Sequence, residues 1–396
     1  MNAAKRSTAT TDRTGNVAVI GGGIAGMAAA AAFAQAGAAV RVLEQAPEIT
    51  EIGAGLQISP NGGAVLEALG LGAEAEARGI RAQAVEPRDA LSGRVIGRFD
   101  LTGQGPVPYR FFHRADLLDM LAGAAARAGA QVATGAHVDH VSPEGMVDAL
   151  PARLVVGADG IHSVARAALN PESRPFFTEQ VAWRALVAAD HPPVARIWMA
   201  PHRHVVSYPL PGGRVNLVAV QERRDWAAEG WNHADDPANL RAAFADCAPE
   251  LRAMLERVGA VRLWGLFRHP VAARWHGDAL ALVGDAAHPT LPFLGQGANL
   301  ALEDGWVLAA LAARAGDLPA ALARYQAARA ARVRRALATA NANARNYHLS
   351  GPARRLAHLG LAAIARLTPG ALLGRLAWLY RHDVTAEFPA APLSPR

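Results

Sequence analysis

Cysteine is almost absent: Cys247 is the only one in 396 residues. No internal disulfide can form, which suits a reducing compartment. Lysine is equally scarce, with Lys5 the only one among 40 basic residues. The formal charge of +6 therefore rests on arginines spread along the chain, which indicates general surface charge rather than a nucleic-acid footprint. The densest basic run, Arg324, Arg329, Arg332, Arg334 and Arg335, reads as a solvated helix face. No apolar stretch of transmembrane length stands clear. Ala353 to Leu379 is interrupted by Arg354, Arg355, Arg366 and Arg375 and reads as amphipathic helices. Lys5-Arg6 ahead of an apolar segment superficially suggests a signal peptide, but three consecutive glycines break that segment. A cytoplasmic protein without a membrane span is expected. Hydrophobic residues make up 51% of the chain, enough to bury a large core as two domains or one elaborated domain.

What is present centres on residues 16–44. Val17 to Ile20 is an apolar run of strand length, and it enters Gly21-Gly22-Gly23-Ile24-Ala25-Gly26, a match to G-x-G-x-x-G. Alanine-rich sequence follows, Gly37 sits where a helix ends, and a second apolar run closes in Glu44. Gly21 allows the tight turn, Gly23 lets a pyrophosphate approach the backbone, and Gly26 lets helix pack on strand. Ile24 and Ala25 open the helix whose free N–H groups meet the phosphates. Glu44 stands at the position of a ribose-binding carboxylate. Strand, glycines, helix, strand and acid in this order point to a dinucleotide site.

Beyond it, residues 1–14 read as a loose arm and Glu51 to Ser59 as a Gly-rich segment leading through Pro60-Asn61 into a helix from about Ala64 to Leu69. Short alternating runs at Ala82 to Val85 and Arg94 to Phe99 suggest strands, and His113-Arg114-Ala115-Asp116-Leu117 opens a helix ending near Gly129. Two further strand-to-turn signals follow, Leu154 to Gly160 and Ala279 to Asp285. The region between them has β character, interrupted by a helix-like patch from about Asn239 to Arg257. A Gly-rich turn, Leu294 to Asn299, starts a helix through Ala313, and the remainder is helical with breaks at Ser350-Gly351-Pro352 and Thr368-Pro369-Gly370.

Three motifs, G-x-G-x-x-G at 21–26, Gly157-Ala158-Asp159-Gly160, and Gly284-Asp285 running through Asn299, together resemble the class A flavoprotein aromatic monooxygenases of the salicylate, 3-hydroxybenzoate and p-hydroxybenzoate hydroxylase type. The resemblance extends from Val17 to about Val384. It implies an α/β fold, with a Rossmann-like FAD-binding domain (1–75, 101–180 and 271–345) interleaved with a β-rich substrate domain (76–100 and 181–270), and C-terminal helices from 346. It implies FAD as cofactor, NADH or NADPH as co-substrate, and oxygen transfer from a C4a-hydroperoxide to an aromatic acid or phenol. In this resemblance Gly21, Gly23, Gly26 and Glu44 hold the ADP half. Arg114 contacts phosphates or ribityl chain, Asp285 bonds the ribityl hydroxyls, and Asp159 serves FAD and NAD(P)H. Backbone N–H groups at Gly297, Ala298 and Asn299, following Gly295, face the flavin N1 and O2 region. Asp159 also reads as a plain structural turn with Arg166 as its ion-pair partner. There is no second G-x-G-x-x-G and no C-x-x-C, which separates the chain from the disulfide-reductase flavoproteins.

On the substrate side, Arg203 to Pro209 alternates as a strand, placing His204, Val206 and Tyr208 on one face. A histidine near neutral pKa there suits deprotonation of a phenol, with His204 and Tyr208 both open as the base. His202 and His204 form H-x-H, but no third metal ligand is evident and no metal is expected. The resemblance offers Arg184, of a Trp183-Arg184 pair, for a substrate carboxylate, a structural salt bridge being the competing reading. Pro292 and Phe293 fall where relatives contact substrate, and His288 reads as structural. The expected partners are a small aromatic substrate and O2, with a homodimer left open. Two alternatives stand beside this reading: another flavin-dependent oxygenation on the same fold, such as quinone-precursor hydroxylation, and a non-catalytic FAD-binding sensor or partner protein.

Overall fold

In the computed structural model, residues 16–49, 55–103, 105–224 and 233–389 are described. The proposed arm at 1–14 and part of the Gly-rich segment at 51–59 lie outside them. The apolar run at the start of the chain forms the strand Asn16–Ile20 at the centre of a five-stranded parallel sheet. Leu154–Gly157 and Leu280–Leu282 flank it on one side, Ala39–Glu44 and Gln131–Thr134 on the other. Both neighbours of the central strand pair with it in parallel, so its Val17 and Val19 are wholly buried. This places three strand ends, at Ile20, Gly157 and Leu282, side by side. The three turns singled out in the sequence therefore share one edge of one sheet, where ligands of open α/β sheets bind.

The helix Ile24–Gln35 follows, and its alanines from 28 to 32 are buried all round. Small side chains let it pack against both Gly297–Ala312 and Arg114–Arg127. It ends at Gly37, whose φ of 90° is the left-handed turn expected there. An eight-stranded sheet forms the second layer, in the order His233–Asp235, Val261–Arg268, Phe176–Ala188, Arg214–Glu222, Arg203–Leu210, Val194–Ala200, Ala84–Asp89, Phe99–Asp100. It is antiparallel except where Val194–Ala200 meets Ala84–Asp89. A third, three-stranded sheet runs in the order Gly55–Ile58, Arg110–His113, Ile80–Arg81. The helices Leu318–Tyr347, Gly351–Leu367 and Pro369–Arg375 close the molecule, with breaks where Gly351 and Pro369 fall. Among the described residues no single helix is long and apolar enough to cross a membrane.

Several expectations change. Arg94 to Phe99 does not form a strand: it touches Ala84–Asp89 through one bridge, Arg88 to Val95, before pairing at Phe99–Asp100. Pro87, in the facing strand, has no N–H to return to a ladder. The patch at 239–257 divides into Pro237–Ala243 and Pro249–Glu256, because Pro249 disfavours helical backbone in the residue before it. The arginine run is not a solvated face throughout. Arg329 is 1% exposed, with its Nε donating to Asp304 at 2.8 Å and its guanidinium paired with Glu303. Arg332 donates twice to Glu303, at 2.7 and 2.9 Å.

Candidate active site

At the first turn, Gly21 has φ of 100°, and a Cβ there would meet the carbonyl oxygen of Ala158 at 2.4 Å. A Cβ on Gly26 would lie 1.9 Å from the carbonyl oxygen of Gly21. Both glycines thus serve close packing inside the turn. Gly23 differs: a Cβ there would meet nothing within 4 Å. It caps the helix Ile24–Gln35 with no side-chain hydrogen bond, leaving the first N–H groups directed at open space. Glu44 reaches the same turn, accepting from the N–H of Gly22 at 2.6 Å and of Ala46 at 2.8 Å.

At the second turn, Asp159 accepts from the Ser163 hydroxyl and from the N–H of Ala165 at 3.1 Å, while Ser163 caps the helix Val164–Leu169 by accepting from the N–H of Arg166. Burial raises its carboxyl above the ordinary aspartate value despite those bonds. Arg166 is not its ion-pair partner. That guanidinium instead donates to the carbonyls of Ala286, Ala287 and Pro270 and to Ser173, tying the second turn to the third.

At the third turn, Asp285 lines a cavity. Burial raises its carboxyl, opposed by the nearby His288 and Arg114. The helix Gly297–Ala312 begins close by, without a side-chain cap on its N-terminal residue Gln296. Gly295, at φ of 61°, turns the chain into it. Asn299 anchors this loop from inside: its Oδ1 accepts from the N–H of Ser59 at 2.9 Å, and its Nδ2 donates to Gln57 and Gly295 carbonyls.

Beneath the loop lies a polar network that the sequence reading missed. Asn61 donates to Gln296 and Glu303, Gln296 donates to Ser59, and Glu303 and Asp304 share Arg329. Asp304 in turn accepts from His288, which is fully buried. Burial works against ionised Glu303 and Asp304, but the arginines, with His288 beside Asp304, outweigh it and hold both below their ordinary values. An adjacent acidic pair at 303–304 with basic residues one helix later was the available signal. Helical periodicity alone does not tell a buried arginine from a solvated one.

The cavity, about 320 Å³, joins this sheet edge to the eight-stranded sheet. Gly23, Ile24, Ala25, Arg114, Asp285, Gly295, Gly297 and Ala298 line it from the nucleotide-binding end. Arg184, His204, Val206, Tyr208 and Trp264 line it from the second sheet, and Pro292 lies along it. Gly21, Gly26, Glu44, Asp159, Asn299 and Phe293 support the walls rather than line them. Phe293 packs behind His204, with ring centroids 5.7 Å apart. Arg184, which lines the cavity, stacks over Trp264 at 4.5 Å.

His204 is 1% exposed. Burial holds it well below the ordinary histidine value, and the neighbouring His348 adds to the effect. The near-neutral pKa expected for it is thus corrected: its imidazole is uncharged at neutral pH. Burial pushes the Tyr208 hydroxyl up, so it remains a protonated phenol at neutral pH. No group of three or more metal-ligating side chains occurs among the described residues. His202 is instead turned outward and bonded to Glu222 at 2.7 Å.

An open glycine cradle, two uncapped helix starts and a carboxylate on one elongated cavity fit a flavin dinucleotide. Comparisons with known proteins agree. A family model described as FAD binding domain matches residues 14–340. A 3-amino-4-hydroxybenzoate 2-monooxygenase of Streptomyces platensis is 37% identical, the match covering 96% of this chain and 98% of the relative. A 3-hydroxybenzoate 6-hydroxylase of Polaromonas naphthalenivorans is 34% identical over 93% of this chain and 96% of its own. Among solved structures, a salicylate hydroxylase in complex with substrate aligns with a TM-score of 0.79 at 25% identity, covering 96% of this chain and all of that one.

Proposed function

We propose, from the premise that this chain belongs to the FAD binding domain family and is a class A flavoprotein aromatic hydroxylase, that it hydroxylates a phenolic benzoic acid with NAD(P)H and O2. The observation that carries this is one cavity in which the three turns meet His204, Tyr208 and Arg184. When bound, FAD supplies the redox chemistry, taking electrons from the nicotinamide and activating oxygen. The chain supplies orientation, dryness and proton transfer.

Gly23 and the helix behind it would hold the pyrophosphate, Glu44 the ribose, and Arg114 and Asp285 the ribityl chain. The N–H groups of Gly297 and Ala298, at an uncapped helix start, would offer positive potential to the flavin ring. Arg184 holds the substrate carboxylate, its guanidinium kept in place by Trp264. His204, neutral and buried, accepts the phenolic proton, and the resulting phenolate is a stronger nucleophile toward electrophilic oxygen. Tyr208 stays protonated and donates to the substrate. Apolar Val206, Val218 and Pro292 exclude water.

The test is NADH and NADPH oxidation by the purified FAD-loaded protein over a panel of hydroxybenzoates and aminohydroxybenzoates, with product and peroxide assayed together. Stimulated oxidation that yields a hydroxylated product is expected. A protein that retains FAD yet is stimulated by no member of the panel contradicts the reading.

A further inference from the structure

The polar groups behind His204 form a continuous chain to the surface. His204 Nδ1 lies 2.7 Å from Nε2 of His348, and His348 Nδ1 lies 2.9 Å from Oε1 of Glu222. The other Glu222 oxygen is bonded to His202 Nδ1. Exposure rises along this path. His204 and His348 are 1% and 5% exposed, whereas the side chains of Glu222 and His202 are 42% and 64% exposed. Backbone bonds fix the arrangement: His202 N–H donates to the His348 carbonyl at 3.1 Å, and Glu222 N–H to the His202 carbonyl at 2.9 Å. His202 itself is in the left-handed region at φ of 61°, in the turn that opens the strand Arg203–Leu210. A non-glycine residue kept there marks a constrained turn.

We infer that Glu222 and His348 are positioning residues that fix His204 as a base toward the cavity and carry the abstracted proton to solvent. This rests on the hydroxylase reading above. The tautomers fix these roles. An ionised carboxylate only accepts, so Glu222 requires the proton of His348 on Nδ1. The Nε2 of His348 is then a bare acceptor, which requires the proton of His204 on Nδ1. The Nε2 of His204 is left unprotonated, ready for a phenol. One surface carboxylate thus sets two buried rings.

On abstraction, the phenol O–H bond breaks and its electron pair stays on oxygen, while Nε2–H forms on His204. The Nδ1 proton of His204 passes to Nε2 of His348, the Nδ1 proton of His348 passes to Glu222, and Glu222 releases it to water. The reverse passage, ending on the product oxygen, restores the tautomers. The groups facing the path are compatible with this. Burial opposes charge on Glu222, but bonds from His202 and His348 hold its carboxyl below the ordinary glutamate value. Burial lowers His348 too, against the pull of Glu222, so it rests neutral. The remaining ring contacts of His204 are Tyr347, kept protonated by burial, and Phe293. Cationic Arg184 and acidic Asp285 share the cavity.

The test uses FAD-loaded protein with 3-hydroxybenzoate and with 3-amino-4-hydroxybenzoate as probes. Ultraviolet difference spectra follow ionisation of the bound phenol against pH, and a pH indicator follows proton release in stopped flow. Wild type is expected to bind phenolate at neutral pH. In Glu222→Gln and His348→Gln, with the flavin spectrum unchanged as a folding control, the midpoint of bound-phenol ionisation rises by about one pH unit, a tenfold weaker base. Proton release slows in parallel. Variants that ionise the probes and release protons as wild type does overturn the relay alone. A wild-type protein that binds both probes as neutral phenols overturns the relay together with the reading it rests on.

Discussion

Gly23 and Gly26 stand three residues apart in one turn and serve different purposes. Gly26 faces the Gly21 carbonyl at a distance no Cβ tolerates, whereas Gly23 faces open space. Gly26→Ala is therefore expected to destabilise the apoprotein by about 1–3 kcal/mol, the usual scale of overpacking, seen as a lower melting temperature. Gly23→Ala should leave apoprotein melting unchanged but weaken FAD binding in a flavin fluorescence titration. Equal melting losses in both variants would contradict this division. At position 204, His204→Gln should retain FAD while hydroxylation slows by about 10²–10⁴, the range for a lost general base. The strand–turn–helix built around the glycines, with Glu44 at the end of the next strand, was legible in the sequence because its signals are local. His204 was legible as a face of a strand, but its protonation state was not. That depends on burial and on His348, 144 positions away.

Among the elements, the helix Gly297–Ala312 carries the most. Its first turn faces the cavity, and its Glu303 and Asp304 are buried against Arg329 and Arg332 of the next helix. Both acids are held below their ordinary values in the fold. Their pairing therefore stabilises above the unfolded carboxylate range, near pH 4, and is lost as acid titrates through the lowered values. Arg329→Met removes the largest counter-charge on Glu303 and one of two beside Asp304, while Arg332 and His288 remain, so burial is less opposed and both folded values move up. The variant should lose about 3–5 kcal/mol against wild type at neutral pH, the cost of breaking a buried pair, and less near pH 4. Melting curves at the two pH values check this; an equal loss at both would contradict it. This is also where the sequence misled. The arginine run and the 94–99 segment were both read from local pattern, and both were decided by what lies across the fold.

For the whole molecule, the α/β layer, the β-rich layer and the C-terminal helices were legible because three turns recur in order and share one sheet edge. The cavity between the layers was not, since it is made of segments from across the whole chain. It is the feature on which the proposed function depends, because it brings the turns proposed to hold the flavin together with His204 and Arg184, proposed to hold the ring. The most direct measurement is turnover under isotope-labelled dioxygen with the panel member that stimulates NAD(P)H oxidation most, followed by mass spectrometry of the product. The account predicts one labelled oxygen atom on the aromatic ring, with NAD(P)H consumed in step with product. Label absent from the ring, or appearing only in peroxide and water for every phenolic acid that binds, would contradict it.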